Sequence, residues 1–148
     1  MTVMDIKAPV STIMTTDLVT VAPEDKLAEV KNAFDNFRIH HLLVVDSEEN
    51  LVGIISKTDL LHFLDFIDKD SNEPYLTELR LKNYRAEEIM VREPFTVSES
   101  DTIKAVLEVF KENLFHALPI TRAGKLTGIV TTHDVIKALL EKHALLTS

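Results

Sequence analysis

Two heptapeptides carry the clearest chemistry in this 148-residue sequence: Gly53-Ile54-Ile55-Ser56-Lys57-Thr58-Asp59 and Gly128-Ile129-Val130-Thr131-Thr132-His133-Asp134. Each reads Gly-h-h-[Ser/Thr]-x-x-Asp, where h is apolar. One reading is structural. Ser56 or Thr131 caps a helix, and the aspartate three residues on reaches back to the cap N–H. A second reading uses the same geometry for a ligand. The N–H groups and partial positive charge of a helix start suit a phosphate. The Ser56 or Thr131 hydroxyl can bind a phosphate oxygen, and a carboxylate one turn on can accept from both hydroxyls of a ribose. The glycine permits a bend or the close approach of a ligand. The two readings are compatible, and the occurrence of the pattern twice favours the ligand.

Other reactive residues fall short of a constellation. His40 and His41 are adjacent, and neighbours on a strand point to opposite faces, so they are not expected to share a metal ion. His116 and His133 could act as acid–base groups, but no nucleophile or paired carboxylate accompanies them. They are expected at the surface or next to a phosphate, and no enzyme activity is expected. Asp65, Asp68 and Asp70 are spaced somewhat like a calcium loop but lack its glycine and final glutamate, and read as a solvated linker. No Gly-x-x-x-x-Gly-Lys-[Ser/Thr] occurs, so hydrolysis of a bound nucleotide is not expected. Phe34, Phe37, Phe110 and Phe115 read as core, with base stacking as a second option for Phe115.

Composition narrows the class. Apolar residues make up 45% and charged residues 27%, as in ordinary globular proteins. The net charge of −8, with no basic run, argues against nucleic acid and anionic membrane surfaces. Cysteine is absent, which removes disulfides, thiolate nucleophiles and cysteine metal sites. No apolar stretch approaches the roughly 18 residues that span a bilayer, and the N-terminus lacks a secretory pattern, so a cytoplasmic location without membrane insertion is expected.

The elements that must position the two motifs are themselves duplicated. Val10-Ser-Thr-Ile-Met14 is matched by Ala86-Glu-Glu-Ile-Met90, Leu18–Val21 by Pro94–Val97, Asp25 by Asp101 and His41–Val45 by Ala117–Thr121. One residue is lost in the following turn, where Asp46-Ser-Glu-Glu-Asn50 faces Arg122-Ala-Gly-Lys125. Each copy predicts a short strand (Leu18–Val21, Phe95–Val97) and then a helix with an apolar stripe. The stripe is Leu27, Val30, Phe34 and Phe37 in one copy, and Ile103, Val106, Leu107, Phe110 and Leu114 in the other. A hairpin follows (Leu42–Val45 with Leu51–Ile55; Leu118–Thr121 with Leu126–Val130). A second helix begins near Asp59 or Asp134, the last one carrying Val135, Ile136, Leu139 and Leu140, with Ala144 as an optional fifth position. The order β-α-β-β-α occurs twice, an α/β (α+β) fold. A unit of this size is marginal alone, and two copies can bury their sheets against each other about a pseudo-twofold axis. The expected division is 1–66, a polar linker 67–85 broken at Pro74, and 86–148.

With Ile-Met opening each repeat, a His-h-[Pro/Leu]-h-h strand and the Gly-h-h-[Ser/Thr]-x-x-Asp junction, the sequence resembles a tandem pair of CBS (cystathionine β-synthase) domains, a Bateman module. The resemblance covers most of the chain. Leu43 stands where the family often has proline, while Pro119 keeps it. The resemblance implies a nucleotide sensor, binding AMP, ADP or ATP, or alternatively S-adenosylmethionine or NAD, in clefts between the repeats. It implies a first cleft of Thr131, His133 and Asp134, with Ile13 and Ile39-His40-His41 along the base and Arg38 near phosphates. It implies a second cleft of Ser56, Thr58 and Asp59 with Ile89 and Phe115-His116-Ala117, Lys57 serving the phosphates. The first is expected to be the stronger, because Leu114 replaces Arg38 in the second. A homodimer and an effector protein, enzyme or transporter, are implied as partners, since no catalytic or transport domain fits in the sequence. The competing reading is an interaction or dimerisation module whose nucleotide pocket is unused.

Overall fold

Strands form where β-branched and leucine residues run between polar turns, and helices form where apolar residues recur at helical spacing. In the computed structural model, which describes residues 4–68 and 73–147, these elements gather into two compact units. One is Val19–Pro94, and the other joins Met1–Leu18 to Phe95–Ser148.

In the Val19–Pro94 unit, β1 (Thr20–Val21) runs parallel to β2 (His41–Val45), which forms an antiparallel hairpin with β3 (Leu51–Ser56). β4 (Val91–Arg92) completes the sheet against β3 in the order β1-β2-β3-β4. Around it lie α1 (Leu27–Asn36), α2 (Lys57–Asp68), α3 (Pro74–Asn83) and the single turn α4 (Ala86–Ile89). In the other unit, a 3-10 turn (Val10–Thr12) precedes a three-stranded sheet of β5 (Val97–Ser98), β6 (Ala117–Arg122) and β7 (Lys125–Thr131), flanked by α5 (Ile103–Lys111) and α6 (Thr132–Thr147). Mixed α and β content in two repeated units agrees with the fold class read from the sequence.

The duplication extends to the cores. Val30, Leu42, Val44, Ile55 and Leu60 pack in one unit, and their counterparts Val106, Leu118, Ile120, Val130 and Val135 pack in the other. Both hairpins slip register at the same place, between Val44 and Val45 and between Ile120 and Thr121. Their turns differ. In the longer one, the Asp46 side chain accepts from the Glu48 and Asn50 N–H groups at 2.9 Å. In the shorter one, Ala123 and Gly124 both take positive φ (52° and 80°), the pair that a two-residue hairpin of matching twist requires.

The segment that opens each sequence repeat packs on the hairpin of the other repeat. β4 lies against Gly53 and Ile54, and Thr15 exchanges both backbone hydrogen bonds with Ile129 (2.8 and 3.0 Å). Val10 and Ala86, counterparts at the repeat starts, are both fully buried.

Several expectations are corrected. Phe37 and Leu114 are not part of the buried stripes: they are 52% and 77% exposed, because α1 and α5 end before them. Phe115 is not core either. It is 38% exposed and stacks on Phe95 with ring centres 5.6 Å apart. On α6 Val135 of the expected stripe is buried, and Ile136, Leu139 and Leu140 face solvent. Asp65 and Asp68 lie on α2 rather than in a linker, and Asp70 falls outside the described residues. Pro74 opens α3 instead of breaking the chain, as proline's fixed φ and missing N–H allow in a first helical turn. Leu81 of that helix is buried with Leu27 and Leu60.

Candidate functional site

The two Ser/Thr-x-x-Asp junctions fold as reciprocal caps. Ser56 ends β3, and its Oγ accepts from the Asp59 N–H at 2.9 Å, while Asp59 Oδ2 accepts from the Ser56 N–H at 3.2 Å. Thr131 ends β7, and its Oγ1 accepts from the Asp134 N–H at 3.1 Å. Asp134 Oδ2 accepts from the Thr131 N–H at 2.9 Å and from its hydroxyl at 3.1 Å. The structural half of the sequence reading therefore holds at both positions. It also uses part of what a phosphate would use. The first N–H of α2 donates to the His40 carbonyl at 2.9 Å, and the first of α6 donates to the His116 carbonyl at 3.0 Å. Of the first three N–H groups of each helix, the middle one, at Thr58 or His133, makes no hydrogen bond among the described residues.

The glycines answer a different need from the expected one. A Cβ at Gly53 would collide with the Met90 side chain, reaching its Cγ at 2.8 Å and its Cβ at 3.0 Å. At Gly128 it would meet Met14 Sδ at 2.6 Å and the Thr15 carbonyl oxygen at 3.2 Å. Close approach is indeed why glycine stands there. What approaches is the Ile-Met segment of the other sequence repeat, packed over the strand, and not a ligand.

The Asp134 copy has a hydroxyl that the Asp59 copy lacks. Thr15 Oγ1 donates to Asp134 Oδ1 at 3.0 Å. The counterpart of Thr15 is Val91, which has nothing to donate to Asp59. Asp134 is thus held through both oxygens, which fixes the plane of its carboxylate.

Beside Asp134 a cavity of about 320 Å³ opens between residues 12–15 and one face of α6 formed by Asp134, Lys137, Ala138, Glu141 and Lys142. Spacing of i, i+3, i+4, i+7 and i+8 puts these five on a single helical face. That volume lies at the lower end of the range for small-molecule sites. Its chemistry comprises the carboxylates of Asp134 and Glu141, threonine hydroxyls, two ammonium groups and the apolar flank of Ile13 and Met14.

Of the residues expected in the first cleft, Ile13, Thr131, His133 and Asp134 share this unit, with His133 exposed on the first turn of α6. Arg38, Ile39, His40 and His41 belong to the Val19–Pro94 unit. There Arg38 and His40 are exposed between α1 and β2, and Ile39 packs on the core. For the second cleft, Ser56, Lys57, Thr58, Asp59 and Ile89 share the Val19–Pro94 unit, and Phe115, His116 and Ala117 lie in the other. Lys57 and Thr58 are exposed, Ile89 packs on the core and Ala117 is buried at the start of β6. Thr12, Thr15, Lys137 and Lys142 are not among the site residues expected from the sequence. Helical spacing onward from Asp134 was the signal that would have found the two lysines.

No group of three or more potential metal ligands occurs among the described residues. Nor is any described helix long and apolar enough to cross a membrane.

Comparison with known proteins sets the geometry in a family. The CBS domain model matches twice, at residues 10–65 and 86–141. An uncharacterised 17.7 kDa protein of Acidianus ambivalens is 31% identical over 137 residues, which cover 92% of this chain and 76% of that protein. Inosine-5'-monophosphate dehydrogenase of Mycobacterium bovis is 32% identical over 136 residues, but the chain spans only 22% of that enzyme's length. Among solved structures, that of CBSX2, a CBS-pair protein of Arabidopsis thaliana, in complex with AMP superposes with a TM-score of 0.74 at 29% identity, over 90% of this chain and 97% of that one. With two family matches that follow the internal repeat, the chain belongs to the CBS domain family and carries two copies of the domain.

Proposed function

We propose that this chain is a regulatory module that binds an adenine nucleotide at its Asp134 motif, and more weakly at its Asp59 motif, and passes its state of occupancy to a partner protein. The observation that carries the reading is the cavity beside Asp134, whose carboxylate is held in place by Thr131 and Thr15 and keeps acceptor capacity for a ribose diol. AMP in the similar CBSX2 structure supports the ligand class. AMP, ADP and ATP are the first candidates; S-adenosylmethionine and NAD share the adenosine portion. A ligand that favours one arrangement of the repeats acts by shifting their populations, by no more than its differential affinity for the two states. A cytoplasmic homodimer acting on an enzyme or transporter, without catalysis of its own, completes the proposal.

A second reading, an interaction module with an unused pocket, draws on the solvent-facing Ile136, Leu139 and Leu140 of α6. Thermal denaturation separates the two. A nucleotide at 100 times its dissociation constant stabilises by about 2.7 kcal/mol, which raises Tm by about 5–10 °C for a chain of this size. Absence of any shift with AMP, ADP, ATP, NAD or S-adenosylmethionine at millimolar concentration leaves only the interaction module.

A further inference from the structure

The internal repeat supplies a control for the cavity, because each lining position has a counterpart in the other unit. Ala138 corresponds to Phe63, whose ring packs edge-on against Tyr84 at 5.0 Å and adds to the core of its own unit. Lys137 corresponds to His62, Glu141 to Phe66, Lys142 to Ile67 and Thr12 to Glu88. One copy therefore has a small residue and open space where the other has an aromatic ring. Charge has diverged in the same place. Asp134 and Glu141 are balanced by Lys137 and Lys142, whereas Asp59 and Glu88 stand at the counterpart positions with no lysine or arginine among them. Neither Lys137 nor Lys142 makes an ion pair or hydrogen bond among the described residues, so both ammonium groups are available. Lys137, one turn after Asp134, lines the same cavity as the carboxylate. Lys142 follows on the same face, about 12 Å from Asp134 along the axis.

We propose that Lys137 and Lys142 form an anion-reading subsite of the Asp134 cleft, which ranks adenine ligands by negative charge: ATP above AMP, and AMP above uncharged adenosine. The proposal rests on the reading of Asp134 as the acceptor for a ribose diol and adds what discriminates among ligands that share that ribose. Glu141, between the two lysines in sequence and on the same face, opposes the preference and sets its size.

The test is isothermal titration of the full chain with adenosine, AMP and ATP, in the native sequence, in the Lys137→Gln/Lys142→Gln double variant and in Glu141→Gln. Glutamine is a good helix former and these are exposed positions, so α6 persists. The ratio of ATP to adenosine affinity is expected to fall by about fivefold in the lysine variant, as for partly solvated charge pairs, and to rise in Glu141→Gln. A ratio within twofold of native in the lysine variant overturns the subsite while leaving the nucleotide reading intact. No binding of any of the three ligands to the native chain overturns that reading and the subsite with it.

Discussion

Replacing Gly53 by alanine tests the packing that links the repeated motif to the opposite repeat. Gly53 lies in β3 opposite Arg92, under the Met90 side chain. The new methyl would stand 2.8 Å from Met90 Cγ and 3.0 Å from Met90 Cβ. The thioether end can swing aside, but Cβ is fixed to the backbone of the segment entering β4, so the strand pair itself must yield. Overpacking of this kind costs about 1–3 kcal/mol. Alanine recovers about 0.4–1 kcal/mol by restricting the unfolded chain. The central net loss is about 1.3 kcal/mol, or about 3–5 °C in Tm for a chain of this size. Denaturation followed by circular dichroism measures it. In a Met90→Ala background only the Cβ contact remains, and the cost of Gly53→Ala should drop by at least about 0.5 kcal/mol, the coupling expected of residues in contact. Gly128→Ala should cost less, because its closest neighbour is the mobile Met14 Sδ and its rigid neighbour, the Thr15 carbonyl oxygen, stands at 3.2 Å. If Gly53→Ala is as stable as the native chain, or its cost is the same with and without the Met90 side chain, the close approach is not why glycine is there.

The helix starts and one carboxyl offer further checks. Thr102 Oγ1 accepts from the Ala105 N–H at 3.0 Å, so Thr102→Ala should lose about 1 kcal/mol of stability in urea denaturation. Its counterpart Lys26 makes no side-chain cap on α1, and Lys26→Thr should recover up to about 1 kcal/mol in the same assay. Glu29 is held above its ordinary carboxyl value of 4.5, first by the negative charge of Asp25 and then by partial desolvation and a hydrogen bond with Asp25. The folded chain therefore binds this proton more tightly than the unfolded one. Its stabilising contribution is complete below the ordinary value and lost as pH rises through the raised one. Glu29→Gln should accordingly raise Tm relative to the native chain at pH 7, and the difference should disappear below about pH 4; a difference that is constant with pH would refute the repulsion.

Both motifs and the hairpins that deliver them were legible in the sequence because they rest on local rules. Ser56 and Thr131 cap with their aspartates as three-residue spacing demands, and the strands around Leu42 and Leu118 fall where apolar runs meet polar turns. Helix α3 was hidden because its apolar residues form no clear stripe. Tyr75 and Leu79 are exposed and Leu81 alone is buried among its large side chains. β4 was hidden because two residues carry no periodicity, and its strand character comes from pairing with Gly53 and Ile54. The same limit applies to the site. Asp134 could be found from its spacing, but its bond to Thr15 spans 119 positions. The role of the motif glycine likewise depends on methionines that only the folded chain brings near. The α6 lysines stand at helical spacing from Asp134, but only the folded chain shows that this face borders a cavity.

Isothermal titration of AMP into the native chain, Asp134→Asn and Asp59→Asn tests the central claim most directly. Asparagine keeps an oxygen that can accept from the cap N–H, so each helix start is preserved while the carboxylate is lost. The account predicts that Asp134→Asn removes the tighter binding event and that Asp59→Asn leaves it in place. Equal loss in both variants contradicts the ranking of the two motifs, and full-strength AMP binding by Asp134→Asn contradicts the assignment of the ribose to that carboxylate.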